Sequence, residues 1–245
     1  MREIELFKDD IPEGHLVEYI MASACLPGFQ TRKIDGKDFI DGAVNNNMPV
    51  NMLLEKGYKD IIAVDVGGIG VVKSVVDIGA NIINIKCADN IIGTMEFEKN
   101  AIKRSKSRGY YDTYKAFGRL CGDMYYFNTM SYYRAKSMYS DAMMCNIECA
   151  GDVFGIEKNA AYNVDEFISG ILTGYATADS LYKKAVSENQ NFFEMITKTK
   201  IDSAVITAWI VDMMKNNVDF MSNKIIMNLL GNSLEAASAV MYFSE

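Results

Sequence analysis

The fold of this chain is decided by residues 34–50, which read IDGKDFIDGAVNNNMPV. Asp35-Gly36 is a dipeptide typical of two-residue hairpin turns, so we expect a β-hairpin over residues 32–40. Asp41 comes directly after the second arm of this hairpin. Gly42 follows, and because glycine lacks a β-carbon we expect the backbone to turn sharply there. The segment therefore predicts a carboxylate at the end of a strand, next to a tight turn.

Short strands and helices flank this segment. Alternating or continuous apolar residues indicate strands, and proline or glycine at the edges of apolar stretches indicates where helices begin and end. The glycine-rich sequence at residues 67–70 follows a buried strand and predicts a turn. The pattern predicts strands over residues 3–7, 61–66 and 81–85, and helices over residues 16–25 and 49–57.

From about residue 91 onward the sequence reads as helices. Asn163 and Asn232 each precede an acidic residue by three positions, which is typical of a helix N-terminus. Residues 123–144 are dense in Tyr and Met and predict no element; they favour core packing, with an acyl-chain pocket or a membrane-facing surface as the alternative. The predicted helices cover residues 91–117, 164–178, 192–214 and 233–242.

Composition narrows the classes of function. The chain has 245 residues, of which 49% are hydrophobic, and a net charge of −7 that argues against a nucleic-acid partner. The basic residues Lys103, Arg104, Lys106 and Arg108 form either a solvated helix face or a patch for a membrane surface. No apolar stretch is long enough to span a bilayer, and no secretory leader pattern opens the sequence.

Histidine and cysteine usage limits the chemistry further. The single histidine, His15, stands at the start of a predicted helix, which indicates an exposed or capping residue rather than a catalytic one. The five cysteines are scattered and odd in number, which is typical of free thiols in a reducing compartment. Cys145 and Cys149 are helical neighbours, but no second Cys/His pair completes a metal site. We therefore expect neither a metal nor another cofactor.

One ordered set of motifs extends over residues 15–70. It comprises Ala22-Ser23-Ala24-Cys25-Leu26-Pro27, then Asp41-Gly42-Ala43, then Asn47-Met48-Pro49-Val50, and finally the apolar strand at residues 61–66. In this order the motifs resemble the second half of the patatin-like phospholipase domain. A looser likeness to bacterial members reaches about residue 120, through Gly109-Tyr110-Tyr111-Asp112-Thr113.

The resemblance implies a role for each motif residue. Asp41 corresponds to the aspartate that contacts a nucleophilic serine directly, with no histidine between them. Gly42 and Ala43 complete its motif, and the amide of Asn47 is expected to hold the loop after Asp41 in place. The family's serine lies in a Gly-x-Ser-x-Gly elbow, and this sequence contains none. Ser233 lies in a helix cap and follows Asp41 in the sequence, whereas the serine should precede the aspartate, and Ser23 is interpreted as a packing residue.

The sequence thus predicts an α/β fold. It would comprise part of a patatin-like three-layer α/β/α sheet, whose N-terminal half is missing, followed by a mostly helical C-terminal region. The predicted domains are residues 1–120 and 121–245. The implied function is that of the C-terminal part of a serine-dependent lipid acyl hydrolase, inactive as this fragment, with a lipid or acyl ester substrate.

Several alternatives stay open. The chain could be a stand-alone, non-enzymatic lipid- or protein-binding module, or the helical region could be a regulatory or oligomerisation domain. We expect a cytoplasmic protein, with peripheral membrane contact left open.

Overall fold

The computed structural model describes residues 3–28, 31–76, 79–87, 98–188, 201–218 and 230–244. The chain divides into two compact units, residues 1–102 and 103–245. The division therefore falls earlier in the chain than residue 120, where the family resemblance places a domain boundary. The structure confirms a mixed α/β fold with a mainly helical C-terminal region.

The first unit contains short helices and two small sheets. Its elements, in chain order, are a 3-10 turn at Lys8–Asp10, α1 (Leu16–Ser23), β1 (Arg32–Ile34), β2 (Lys37–Phe39), α2 (Ala43–Asn46), α3 (Val50–Glu55), β3 (Asp60–Asp65), β4 (Asn81–Lys86) and the beginning of α4 (Lys99–Ala116).

The expected strand over residues 3–7 is wrong, because those residues pair with no strand. Side chains hold this segment instead. Lys73 Nζ lies 2.6 Å from Glu3 Oε1, and the Lys56 ammonium lies 3.5 Å from the centre of the Phe7 ring. The alternation that predicted a strand arises because Ile4 and Leu6 both face a cavity.

The predicted hairpin is confirmed. Strands β1 and β2 are antiparallel, with Arg32 opposite Phe39 and Ile34 opposite Lys37. Asp35 and Gly36 have φ values of 50° and 75°, the left-handed conformations that a two-residue turn of this kind requires. The turn delivers the chain to Asp41 at the end of the second arm.

The strands predicted near residues 61–66 and 81–85 form the parallel pair β3–β4. One face of β3 packs on α3, where Val50, Leu54, Ile61 and Ala63 form a small buried core. On the other face Ile62 and Val64 are 58% and 59% exposed. Parallel sheets normally have both faces covered. Among the residues that the structure describes, this pair is therefore an apolar sheet that is covered on one side only.

The second unit is built mainly from helices. Its elements are the remainder of α4, β5 (Leu120–Cys121), β6 (Tyr126–Asn128), α5 (Thr129–Met138), α6 (Asp141–Val153), β7 (Ala161–Tyr162), α7 (Val164–Ser187), α8 (Ser203–Lys215) and α9 (Ser233–Ser244).

The helix predictions are confirmed where the structure describes them. The parts predicted over residues 91–97 and 192–200 lie outside the described residues. Gly109 lies within α4 without interrupting it. The three short strands β5, β6 and β7 are not among the sequence predictions; they form a sheet in which β6 is antiparallel to β5 and parallel to β7.

The core of the second unit joins α6, α7, α8 and α9. Within the Tyr- and Met-rich stretch, Tyr125, Phe127 and Met144 are buried in this core. In contrast, Met130 and Tyr133 on α5 are exposed. Tyr132 and Tyr139 also pack against this core, so core packing accounts for most of the stretch but not for the exposed side of α5.

A buried carboxylate fastens one loop of this unit. Glu148 on α6 is almost completely buried, and its oxygens accept hydrogen bonds of 2.5–3.0 Å from the backbone N–H groups of Asp123, Met124 and Tyr125. Desolvation raises the pKa of Glu148, while the three donors oppose that shift by favouring the ionised form. Glu148 thereby ties α6 to the loop that leads into β6.

In the part of the chain that the structure describes, no helix combines the length and apolar character needed to cross a bilayer.

Candidate active site

Asp41 lies at the end of the hairpin and is held by backbone hydrogen bonds. Its N–H donates to the carbonyl oxygen of Cys25, with a nitrogen–oxygen distance of 2.7 Å. Its Oδ1 accepts a hydrogen bond from the N–H of Ala43 at 2.8 Å. The side chain is half-buried. The sequence Asp-Gly-Ala therefore forms a local clamp in which the third residue of the motif fixes the carboxylate of the first.

Gly42 plays a different part from the one expected. Its φ and ψ of −62° and −25° are open to any residue, so the chain turns after Asp41 without a conformation that requires glycine. Its N–H donates to the carbonyl oxygen of Ser23 at 3.2 Å, and a β-carbon at this position would lie 3.5 Å from Ser23 Oγ. Residue 42 thus packs against the end of α1.

Hydrogen bonds join the loop after β3 to the segment that follows Asp41. Asn47 Nδ2 donates to the carbonyl oxygen of Gly68 at 3.1 Å, and Asn47 N–H donates to the carbonyl oxygen of Val71 at 2.7 Å. Val71 N–H in turn donates to the carbonyl oxygen of Ala43 at 2.9 Å. The amide of Asn47 therefore joins the two loops.

Gly70 makes this junction sterically tight. A β-carbon on Gly70 would lie 2.6 Å from the Ala43 carbonyl oxygen and 2.7 Å from Asn47 Cβ. Such distances are not compatible with any residue larger than glycine unless the backbone moves. The glycine-rich sequence at residues 67–70, interpreted from the sequence only as a turn, thus lets this loop approach the Asp41 motif closely. In the sequence, the close spacing of these glycines was the signal that could have indicated this close approach.

Two cavities meet at the Asp41 turn, and both lie within the first unit. A cleft of about 580 Å³ includes Asp41 in its wall, and a smaller cavity of about 350 Å³ is lined largely by apolar side chains. Six residues line both: Ile4, Leu6, Ser23, Phe39, Ile40 and Gly42. A carboxylate therefore faces open space next to an apolar cavity.

The charges around the cleft leave Asp41 without a counter-ion. Glu3, Glu5, Lys37 and Asp38 also line the cleft, and Glu3 is already paired with a lysine outside its wall. No described residue forms an ion pair with Asp41, and none donates a hydrogen bond to its Oδ2. The second carboxylate oxygen is thus available to an incoming group.

The other candidates lie elsewhere or serve other roles. His15 is the exposed N-cap residue that precedes α1, and its Nδ1 lies 2.8 Å from Glu18 Oε2. Ser233 is buried in the second unit and donates from Oγ to the carbonyl oxygen of Ser203. Ser23, interpreted from the sequence as a packing residue, is exposed and lines the same cleft as Asp41.

Metal-binding side chains do not cluster in the described residues, which contain no group of three or more His, Cys, Asp or Glu arranged to hold a metal ion. All five cysteines are free thiols. Cys149 is buried on α6, and burial, followed by the influence of Cys145, raises the pKa of its thiol to about 12.

Comparison with known proteins finds one similarity, and it lies in this part of the chain. No curated protein and no solved structure matches the sequence. The family model of patatin-like phospholipases matches residues 1–54, which include the hairpin, Asp41 and the residues that clamp its turn.

Proposed function

We propose that Asp41 is the acidic member of a Ser-Asp dyad that hydrolyses lipid acyl esters. The observation that carries this proposal is the geometry of one side chain. Asp41 has one oxygen fixed by the Ala43 N–H and the other directed at no described donor, in the wall of an open cleft. The match of residues 1–54 to a phospholipase family supports the same chemistry.

The clamp on Asp41 suits a base that receives a proton from an alcohol. In the proposed reaction Asp41 accepts the serine hydroxyl proton while the serine oxygen attacks the ester carbonyl carbon. The bond from the carbonyl carbon to the alcohol oxygen then breaks as Asp41 passes the proton to that oxygen, giving an acyl-enzyme and the free alcohol. A water molecule then releases the fatty acid and restores the serine. The Ala43 N–H orients the carboxylate throughout, and general base catalysis of this kind contributes about 10²–10⁴-fold to the rate.

The nucleophile of this dyad is proposed to come from polypeptide outside these 245 residues. The sequence contains no Gly-x-Ser-x-Gly elbow. The one-sided cover of β3–β4, with Ile62 and Val64 exposed, supports a missing layer of the same domain, because apolar parallel strands are normally buried on both faces. We therefore infer that this chain is the C-terminal part of the active domain and is inactive alone.

The apolar cavity beside the cleft supports a lipid as the substrate. Its wall includes Ile11, Leu16, Tyr19 and Ile20, and it shares residues with the cleft that contains Asp41. An acyl chain in this cavity would place its ester at the Asp41 side. A cytoplasmic protein in peripheral contact with a membrane would meet such a substrate at the bilayer surface.

The first experiment measures hydrolysis of a chromogenic short-chain ester by this chain alone. We expect no activity above background in the wild type, Asp41→Asn, Ser23→Ala or the matched control Asp35→Asn. Asp35 lies in the exposed hairpin turn and lines neither cavity. Activity that is lost in both Asp41→Asn and Ser23→Ala would contradict the external nucleophile and assign that role to Ser23. Activity that survives Asp41→Asn would contradict the dyad.

The second experiment reads the DNA upstream of the first codon. An in-frame sequence that encodes Gly-x-Ser-x-Gly supports the hydrolase. An in-frame stop codon upstream of the first codon, with no such sequence between the two, would contradict the hydrolase. It would favour the alternative, a stand-alone lipid-binding module. The apolar cavity of about 350 Å³ is the observation that favours this second candidate. Binding of a fluorescent fatty acid that is equal in wild type and Asp41→Asn would then be its expected property.

A further inference from the structure

One exposed face of α4 carries basic residues followed by aromatic residues. The face comprises four residues of α4 and the residue that directly follows its last turn, all spaced by three or four positions and therefore on the same side: Lys103, Lys106, Tyr110, Tyr114 and Phe117. All five are exposed; Tyr110 is 56%, Tyr114 42% and Phe117 47% accessible. We call this set the Lys-Tyr face.

The opposite side of α4 is fixed in the second unit. Arg108 is only 2% exposed and donates from a guanidinium nitrogen to the carbonyl oxygen of Lys158 at 2.9 Å. Asp112 is buried and accepts a hydrogen bond from the Tyr126 hydroxyl at 2.6 Å. The sequence-based patch is therefore corrected: Arg108 is a buried structural residue, while Lys103, Arg104 and Lys106 are exposed.

The charge at this face opposes that of the rest of the chain. The chain has a net charge of −7, yet Lys103, Arg104 and Lys106 are all basic, and the acidic residue Asp112 is buried on the other side. An anionic partner would therefore be attracted to this end of the helix although the protein as a whole is acidic.

The aromatic half of the face narrows the kind of partner. The Tyr110 and Tyr114 rings lie 4.7 Å apart between centroids, and both rings, like that of Phe117, are exposed to solvent. Amphipathic rings next to lysines suit the headgroup layer of a bilayer, where apolar bodies enter the interface and polar tips stay hydrated. A soluble acidic partner would satisfy the lysines but not these three rings.

We propose that the Lys-Tyr face docks the protein on a bilayer surface rich in anionic lipid. Lys103 and Lys106 contact lipid phosphates, the exposed Arg104 of the same helical turn adds positive charge beside the face, and Tyr110, Tyr114 and Phe117 enter the interface one to three helical turns further on. This proposal deepens the proposed function, because it names the surface that would bring the protein to a lipid substrate. Vesicle binding is measured without hydrolysis, so its failure and the failure of the Asp41 dyad are separate results.

The test is co-sedimentation of the full chain with two kinds of vesicle, pure phosphatidylcholine and a mixture of phosphatidylcholine and phosphatidylglycerol. We expect binding to the mixed vesicles that weakens with added salt, and much weaker binding to the neutral ones. The triple variant Lys103→Gln, Arg104→Gln, Lys106→Gln should lose about a hundredfold in affinity, since each basic residue near an anionic surface contributes about fivefold.

Two further variants complete the test. Tyr110→Ser with Tyr114→Ser should weaken binding to mixed vesicles at least tenfold and leave the salt dependence in place. The matched control replaces Lys136, Lys183 and Lys184, exposed lysines of α5 and α7, by Gln and should bind like the wild type. Equal losses in the control and in the basic triple variant would overturn the proposal, as would unchanged binding in the basic triple variant. The proposal would also be overturned if the wild-type protein did not bind mixed vesicles but bound a single-stranded oligonucleotide.

Discussion

Replacement of Glu148 by Ala is the strictest test of whether this carboxylate attaches the loop between β5 and β6 to α6. The variant removes the single side chain that accepts hydrogen bonds from three successive backbone N–H groups, those of Asp123, Met124 and Tyr125. Nothing else in α6 replaces these acceptors. We therefore expect the loop between β5 and β6 to lose its attachment to α6.

The expected loss in the free energy of unfolding follows from the burial of the three N–H donors. A buried donor left without a partner costs about 1–3 kcal/mol. Tyr125 is buried, Met124 is half-buried and Asp123 is exposed, so water can replace the lost acceptor fully at only one of the three. Because desolvation raises the pKa of Glu148, some unfavourable burial is relieved at the same time. We expect a loss of about 2–3 kcal/mol in the free energy of unfolding at neutral pH.

Urea denaturation followed by Trp209 fluorescence measures this loss. Trp209 is the only tryptophan and is buried in the second unit, so its emission reports the unfolding of that unit. The matched control is Glu188→Ala at the exposed end of α7, which should change stability by no more than about 0.5 kcal/mol. A Glu148→Ala loss as small as that of the control would refute the assignment of the fastening to this carboxylate.

The remaining predictions concern the turn, the thiols and pH. Gly70→Ala should destabilise the first unit by about 1–3 kcal/mol, seen as earlier loss of far-UV circular dichroism, because its β-carbon would strike Asn47; unchanged stability would contradict the close approach. Cys145 should react with a maleimide in the native protein, while Cys149 should react only after unfolding, because burial raises the pKa of its thiol; mass spectrometry of the labelled peptides distinguishes them. The pKa of Glu148 is raised on folding, so the stability it contributes is fully present below its unfolded pKa of about 4.5 and declines as pH rises through the folded pKa. Wild type should therefore gain stability relative to Glu148→Gln on acidification from pH 7 toward that value, and a constant difference would contradict the shift.

Local rules explain why parts of the first unit could be predicted from the sequence. The Asp35-Gly36 turn depends on two residues whose backbone preferences are known, and the structure has both at positive φ. The strands β3 and β4 themselves, though not their pairing, follow from two short runs of β-branched residues. Such features are contained within a few neighbouring positions, so no tertiary information is needed to find them.

The failures involve long-range contacts. Alternation over residues 3–7 predicted a strand, but Ile4 and Leu6 face a cavity and side-chain contacts hold the segment. The strands β5, β6 and β7 are only two or three residues long, so no periodicity could reveal them, and β6 pairs with β7 across the intervening helices α5 and α6. Glu148 was missed for the same reason, since only the fold brings its carboxylate to a loop 23–25 residues earlier.

The candidate site combines features that neighbouring residues predict with features that depend on long-range contacts. The position of Asp41 after a strand could be predicted from its neighbours, and the clamp by the Ala43 N–H lies only two residues away. The support from the loop at residues 67–70 could not be predicted, because it depends on how close Gly70 comes to Asn47. The cleft wall likewise combines residues from the beginning of the chain with residues of the hairpin.

The dyad is tested most directly in a polypeptide that joins this chain to the proposed upstream segment with its Gly-x-Ser-x-Gly elbow. The measurement is kcat for hydrolysis of a chromogenic ester by the wild type, Asp41→Asn and the matched control Asp35→Asn. We predict that Asp35→Asn keeps the wild-type rate and that Asp41→Asn lowers kcat by about 10²–10⁴-fold. Equal rates in Asp41→Asn and Asp35→Asn would contradict the role of Asp41 as the base.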